Sequence, residues 1–355
     1  MSTFTVAHPT LKSITLKELA DSLGLSQSTV SRILNGAGDS HRIAAETQSR
    51  VAEAAKRLGY SANTVARSLR QKRSYTIGVI LPEISEGYST AVLSGIEDEL
   101  LKDGFFYLVV SHRHRRDLLE GYLRMMLARA VEGIIAIDTL IEEDLPVPQV
   151  SISGHGRRKG VTCIELDHNE AARQALEHLK AQGHKRIAFI KGQSFSSDSS
   201  PRWQSIVAMA RELSIKVDPG LVVELESKEP GSAPGFEITQ KLLARQKPFT
   251  AIFAFNDVTA VGAIQALREA GIRVPREVSV VGFDDVQIAT ICQPPLTTIH
   301  QPLRAMGRVA AATLLEQIRD DQQEVRPEVL TVHPHLVVRK STGKVSGETT
   351  TATKK

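Results

Sequence analysis

The chain has 355 residues, 41% of them hydrophobic, 24% charged and 5% aromatic, the proportions of a globular protein of more than one domain rather than of a fibrous or disordered chain. Two cysteines, Cys163 and Cys292, provide neither a disulfide framework nor CxxC metal spacing. The net charge of +4 is unevenly distributed: residues 1–74 carry 11 Lys and Arg against 5 Asp and Glu, and the remainder 33 against 35, a one-sided basic footprint of the kind that nucleic-acid binding uses.

The first element is TLKELADSLGLSQSTVSRILN, from Thr15 to Asn35. Thr15 can cap a helix, with Glu18 three residues on completing a capping box. Leu16, Leu19, Ala20 and Leu23 share one helical face. Gly24 supplies a turn, Leu25 fills the space between helices, and Ser26 suits the cap of a second helix opening with Gln27, Ser28 and Thr29. Val30 and Ile33 then point inward, leaving Gln27, Ser28, Ser31 and Arg32 outward, side chains able to bond base edges and phosphates in a major groove. A solvated helical hairpin has the same pattern, so the neighbouring residues must decide between the two. Val51, Ala54, Ala55 and Leu58 form the stripe of a third helix closed by Gly59. Asn63 to Arg70 is a short segment with an Asn cap, the apolar residues Val65, Ala66 and Leu69, and flanking Arg67, Arg70, Lys72 and Arg73. Alone it is too short to be a stable helix, so folding upon DNA is expected.

TLKELADSLGLSQSTVSRILN together with RVAEAAKRLGYSANTVARSLRQKRSYTIGVI resembles the LacI/GalR family of bacterial transcriptional regulators over about residues 14–340. The resemblance implies base or backbone contacts from Thr15, Leu16, Ser26, Gln27, Ser28, Thr29, Ser31, Arg32 and Asn35. It also implies a hinge helix contacting DNA through Asn63, Val65 and Ala66, with Leu69 wedged into the minor groove. Gln27 and Ser28 fall on the family's operator-dependent positions. Two departures stand out: Ala62 replaces the usual proline, and GAGDSHR after Asn35 is longer than the usual turn.

From Tyr75 onward, strand-sized apolar runs (TIGVIL, FYLVVS, GIIAI, PQVSI, TCIEL, RIAFI, LVVEL, AIFAF, VSVVGF) alternate with helical patterns over 91–102, 118–130, 169–182, 202–213, 236–245 and 259–270. Strand then helix, repeated, predicts parallel sheets covered on both faces, and this length predicts two subdomains with a cleft between them. The fold class is therefore α/β: a helix-turn-helix domain (13–60), a hinge helix and linker (61–74), and a core of two doubly wound parallel-sheet subdomains (75–340). The resemblance implies that this core is periplasmic-binding-protein-like. Its first subdomain is placed at 75–173 and 302–328, its second at 174–301 and 329–340. Leu303, Met306, Ala310 and Leu314 in the closing helix are expected in the core. The tail 341–355, rich in Thr, Ser, Gly and Lys, is expected to be disordered. It has no leucine heptads, which favours a homodimer over a coiled-coil tetramer.

Open α/β sheets bind ligands beyond the carboxyl ends of their strands. That rule singles out Ser153, Asn256, Asp257, Asp284 and Asp285. The resemblance implies effector contacts from Asn256, Asp284 and Arg202, and Tyr88, Ser153 and Trp203 complete the expected effector-binding set. Helix capping is the favoured role for Asp257 and Asp285. Ser153 stands where sugar-binding members often carry aspartate, Ser205 where they often carry glycine, and the first cleft loop is PEISEGYST. The basic run His112 to Arg116 begins where the second strand ends. It suggests an anionic effector, such as a sugar phosphate or sugar acid, against a solvated loop as the stronger alternative.

No GxSxG, P-loop or GxGxxG accompanies the first strand, so no enzyme is expected and no cofactor or metal site. No signal-peptide pattern opens the chain and no apolar run spans a bilayer, so a cytoplasmic location without membrane attachment is expected. The function expected is a repressor that binds a double-stranded operator as a homodimer and responds to a small molecule, a sugar or sugar derivative, in the cleft. The alternatives are an activator or dual regulator, and a small-molecule-binding protein or enzyme whose helix-turn-helix serves protein contacts.

Overall fold

The computed structural model describes residues 14–34, 43–60, 73–84, 87–153, 158–227, 231–319 and 328–345. The chain divides into two compact units, residues 1–74 and 75–355. Asn35 and the hinge residues Asn63, Val65, Ala66 and Leu69 lie outside the described residues.

In the first unit, α1 (Leu16–Leu23), α2 (Gln27–Leu34) and α3 (Ala45–Arg57) surround a core of Leu19, Ala20, Val30, Val51, Ala54 and Ala55, with Leu25 and Ile33 packed against it. The Thr15 hydroxyl accepts from the Glu18 amide at 3.2 Å, and the Thr15 amide donates to the Glu18 carboxylate at 2.7 Å. Gly24 closes α1 at φ 67°, and the Ser26 hydroxyl accepts from the Thr29 amide at 3.1 Å. Such caps satisfy amides that a short helix leaves without partners. Leu58 departs from the expected stripe: it lies just past the end of α3 and is 37% exposed.

Among the described residues, the second unit contains two six-stranded sheets. The first is built from β1 (Thr76–Leu81), β2 (Phe106–Ser111), β3 (Gly133–Ile137), β4 (Gln149–Ile152), β5 (Val161–Leu166) and β11 (Val329–Val332), in the order β11-β5-β4-β3-β1-β2. The second is built from β6 (Ile187–Lys191), β7 (Val222–Glu224), β8 (Ala251–Ala254), β9 (Ser279–Asp284), β10 (Thr297–His300) and β12 (His335–Val337), in the order β12-β10-β9-β8-β6-β7. Only the β10–β12 pair is antiparallel among the described ladders. Successive strand residues enter opposite cores: Ile77, Val79 and Leu81 face one, Ile80 the other. That explains why these strands read as continuous apolar runs.

The intervening helices are α4 (Gly87–Lys102), α5 (Arg116–Ala128), α6 (His168–Ala181), α7 (Ser199–Glu212), α8 (Ala233–Ala244), α9 (Asp257–Glu269), α10 (Ile288–Ile291) and α11 (Leu303–Arg319). Several begin before the point that apolar spacing predicts, because their first turns carry the polar residues of the cleft. Helix α11 packs on α4 in the first subdomain through Leu303, Met306, Ala310 and Leu314. Gly95 and Gly307 permit the close approach: a Cβ on Gly95 would lie 2.0 Å from the Arg304 carbonyl oxygen, and one on Gly307 2.1 Å from that of Val92.

The subdomain boundaries differ from those expected at 173 and 328. Ala171, Ala172, Ala175, Leu176 and Leu179 of α6 belong to the second subdomain's core, so the chain crosses just after Leu166. It returns between His300 and Leu303. Strand β11 still belongs to the first sheet, where Val329 pairs with Cys163, so the last crossing falls between Val332 and His335. The expected disorder does not begin at 341. Ser341 is fully buried, its hydroxyl accepting from the Thr297 amide at 2.8 Å and donating to the Val280 carbonyl at 2.6 Å. Residues 346–355 lie outside the described residues.

Candidate ligand cleft and nucleic-acid interface

Helix α2 directs Val30 into the small core and leaves Gln27, Ser28 and Arg32 exposed, with Ser31 half-buried beside them. Four residues at i, i+1, i+4 and i+5 form one continuous polar stripe. Thr15 and Ser26 are exposed at the first turns of α1 and α2, while Thr29 bonds Ser26 and Leu16 packs on the core.

In the second unit, strand ends from both sheets converge on a cavity of about 110 Å³. Tyr88, Arg202, Asn256 and Asp284 line it. Ser153 stands outside the wall: it is fully buried, and its hydroxyl accepts from the Tyr88 phenol at 3.0 Å. Burial, reinforced by Asp198, holds the Tyr88 phenol well above its ordinary pKa. Asn256 caps α9, its side-chain oxygen accepting from the Thr259 amide at 2.8 Å. Trp203 is not in the cleft. It packs against Phe189 at 5.8 Å, in the second subdomain's core, because one helical step past Arg202 turns a side chain by about 100°.

Arg202 is 4% exposed and tightly held. Its guanidinium donates to Asp198 at 2.8 Å and to the Phe255 carbonyl at 2.6 Å, and its central carbon lies 3.8 Å from the Phe283 ring centroid and 4.5 Å from that of Phe255. Its buried Nε has no hydrogen-bond partner among the described residues. His168, at the first crossing, lies 3.5 Å from Asp198. Asp284 accepts at 2.6 Å from Gln301, which follows the second crossing. Burial raises the Asp284 carboxyl well above its ordinary pKa, against the opposing pull of Arg202.

Sequence reasoning missed Asp138, Asp198, Ser197 and the aromatic wall. Asp138 directly follows the run GIIAI and obeys the same strand-end rule that singled out Asp284. It accepts from the Ser197 amide at 2.9 Å, a hydrogen bond across the cleft, and from the Ser197 hydroxyl, which also reaches the Ser153 carbonyl. Burial, with Asp198 adding, pushes Asp138 up to about 7. Asp198 sits four residues before Arg202, a legible helical ion-pair spacing.

Within the His112–Arg116 run, His112, Arg115 and Arg116 do not present free charge to the cleft. His112 is buried beside the Thr139 hydroxyl at 3.0 Å, and burial, with His114 adding, lowers it to about 4, so it is neutral at pH 7. His114 packs against Phe195 across the cleft, ring centroids 4.1 Å apart and planes tilted by 49°. Arg115 pairs with Asp117, and Arg116 with Glu120 and Glu142. Both arginines line an outer depression of about 430 Å³, with their charges already matched. Asp257 and Asp285 are structural, though neither caps a helix. Asp257 accepts from the Val286 amide and the Thr298 hydroxyl, and Asp285 pairs with Arg339 and His300.

Residues 15–63 match the family described as bacterial regulatory proteins, lacI family, and residues 176–342 match the periplasmic binding protein-like domain. The chain is 31% identical over 337 residues to the HTH-type transcriptional repressor PurR of Pasteurella multocida (strain Pm70), covering 92% of this chain and 98% of that protein. PurR of Haemophilus influenzae (strain ATCC 51907 / DSM 11121 / KW20 / Rd) is 30% identical over 336 residues, with the same coverage. Among solved structures, the lac repressor dimer bound to operator and the anti-inducer ONPF aligns with a TM-score of 0.81 at 27% identity, covering 94% of this chain and all of that one. The transcriptional regulator CelR–cellobiose complex aligns at 0.67 and 28% identity, covering 92% and 99%. No helix among the described residues is long and apolar enough to cross a membrane.

Proposed function

This chain belongs to the lacI family of bacterial regulatory proteins, and on that premise we propose that it is a ligand-responsive transcriptional repressor that binds a pseudo-palindromic operator as a homodimer in the cytoplasm. The carrying observation is the polar stripe of α2 in a helix-turn-helix whose first helix is capped at both ends and whose second opens on the Ser26 cap. Gln27 and Ser28 read base edges, Arg32 reaches a base or phosphate, and Thr15, Leu16, Ser26, Thr29, Ser31 and Asn35 support the docking. Asn63, Val65, Ala66 and Leu69 are proposed to form the hinge helix, which docks at the minor groove upon DNA. An effector in the cleft that binds the core's two states unequally must change operator affinity, and operator must change effector affinity by the same factor. The lac repressor's anti-inducer ONPF supports a small-molecule effector and CelR's cellobiose a sugar-like one, held by Tyr88, Arg202, Asn256 and Asp284, with Ser153 acting through Tyr88.

Selection of the full-length protein against a random DNA pool tests this directly. The expected product is a two-fold symmetric site whose affinity falls steeply with salt, because phosphate contacts release counterions. Recovery of no preferred sequence refutes the proposal. Mobility shifts with candidate ligands then determine whether the effector releases or strengthens binding.

A further inference from the structure

The charge inside the cavity has the wrong balance for an anionic effector. Four acidic side chains, Glu83, Asp138, Asp198 and Asp284, line it against the basic groups Arg202 and His114, and the three aspartates act electrostatically on the buried Tyr88 hydroxyl. Arg202 is already committed to Asp198 and to the Phe255 carbonyl between two aromatic faces. Asp138 and Asp284 form no ion pair among the described residues. Their partners there are the neutral donors Ser196, Ser197 and Gln301. A buried carboxylate without a cation either takes up a proton or awaits a positive partner. Independently, the unpartnered Nε of Arg202, on the same wall, calls for an acceptor oxygen.

We propose that the effector is a small polyhydroxylated molecule bearing a protonated amine, of the amino-sugar class, with its ammonium between Asp138 and Asp284 and a hydroxyl oxygen accepting from Arg202 Nε. This rests on the reading of the cavity as the effector site. Burial raises both carboxyl groups, Asp138 to about 7 and Asp284 well above its ordinary value, so an ammonium that favours their ionised forms displaces protons on binding. A phosphate or carboxylate there would meet the closed Asp198–Arg202 pair and two carboxyl groups that repel it whenever they ionise, and His112, Arg115 and Arg116 offer no compensation.

Calorimetry on the full-length protein would compare glucosamine, galactosamine and mannosamine with their parent hexoses and with hexose 6-phosphates. At least one amine should bind more tightly than its parent hexose. Its affinity should fall between pH 7 and pH 5.5 as protons compete, and its apparent heat should vary with the buffer's ionisation enthalpy. Asp284→Asn should weaken it by at least about tenfold, as expected when a charge-assisted hydrogen bond is lost. In the absence of ligand, Asp138→Asn and Asp284→Asn should each raise Tm at pH 7.5. Failure of every amine to bind, tighter binding of a parent hexose or phosphate, or a lowered Tm in both variants would overturn the proposal. Operator binding by the same preparations separates the two readings: if it persists, the ligand class alone is wrong, and if no DNA is selected, the repressor reading fails as well.

Discussion

Asp198→Ala tests whether Arg202 is held by a desolvated charge or by a hydrated one. The Arg202 side chain is 4% exposed and that of Asp198 6%, at 2.8 Å. Phe283 and Phe255 flank the guanidinium at 3.8 Å and 4.5 Å. Removing the carboxylate leaves a buried cation facing a carbonyl and two ring faces, which costs about 3–5 kcal/mol. At roughly 2 °C per kcal/mol for a unit of this size, Tm should fall by about 6–10 °C. Replacing both partners, Asp198→Leu with Arg202→Met, should recover most of that loss, because a well-packed apolar pair leaves no unmatched charge. Thermal and urea unfolding of the three proteins, monitored by circular dichroism, provide the comparison. The exposed Arg304–Asp98 pair, with Arg304 at 62% exposure, serves as control, and Arg304→Ala should leave Tm unchanged. A loss below about 1 kcal/mol in Asp198→Ala, the range of surface ion pairs, would refute the claim that the site is desolvated.

Gly307→Ala places a methyl 2.1 Å from the Val92 carbonyl oxygen, so α4 and α11 must separate; scanning calorimetry should show a loss of about 1–3 kcal/mol. Asp138 and Asp257 are both raised to about 7 in the folded protein, so each binds a proton there that the unfolded chain has lost; the lowered His112, His178 and His184 act in the opposite sense below about pH 6.5, so the decline in stability with rising pH should show above that point. Tm should fall from about pH 6.5 to about pH 8, and Asp138→Asn should flatten that slope. Gln27→Ala should leave Tm unchanged while altering preference at one operator position by about 1–3 kcal/mol, measured by competition with single-base operator variants.

Much of the fold was legible because its signals are local. A capping box, a turn glycine and a serine cap delimit α1 and α2 within a few residues of chain, and strands buried on both faces announce themselves as unbroken apolar runs. Short edge strands carry no such signal. VLTV and HLV are too short for periodicity to assign them, and only pairing with β5 and β10 reveals their sheets. In the cleft, the strand-end rule reached Asn256 and Asp284, yet it set Ser153 in the wall when that residue supports Tyr88 from behind.

The amino-acid sequence by itself determined the order of the modules, the helix that presents Gln27, Ser28 and Arg32, and the alternation that builds two parallel sheets, since each follows from periodicity and caps within one element. Only the tertiary structure decided the electrical character of the cleft. Whether a charge is free depends on what lies opposite it: Arg202 is neutralised by Asp198 and the Phe255 carbonyl, Arg116 by Glu142, and Asp138 meets Ser197 from the other subdomain. Such partners come from strand ends far apart in the chain, and no local pattern of residues encodes their meeting.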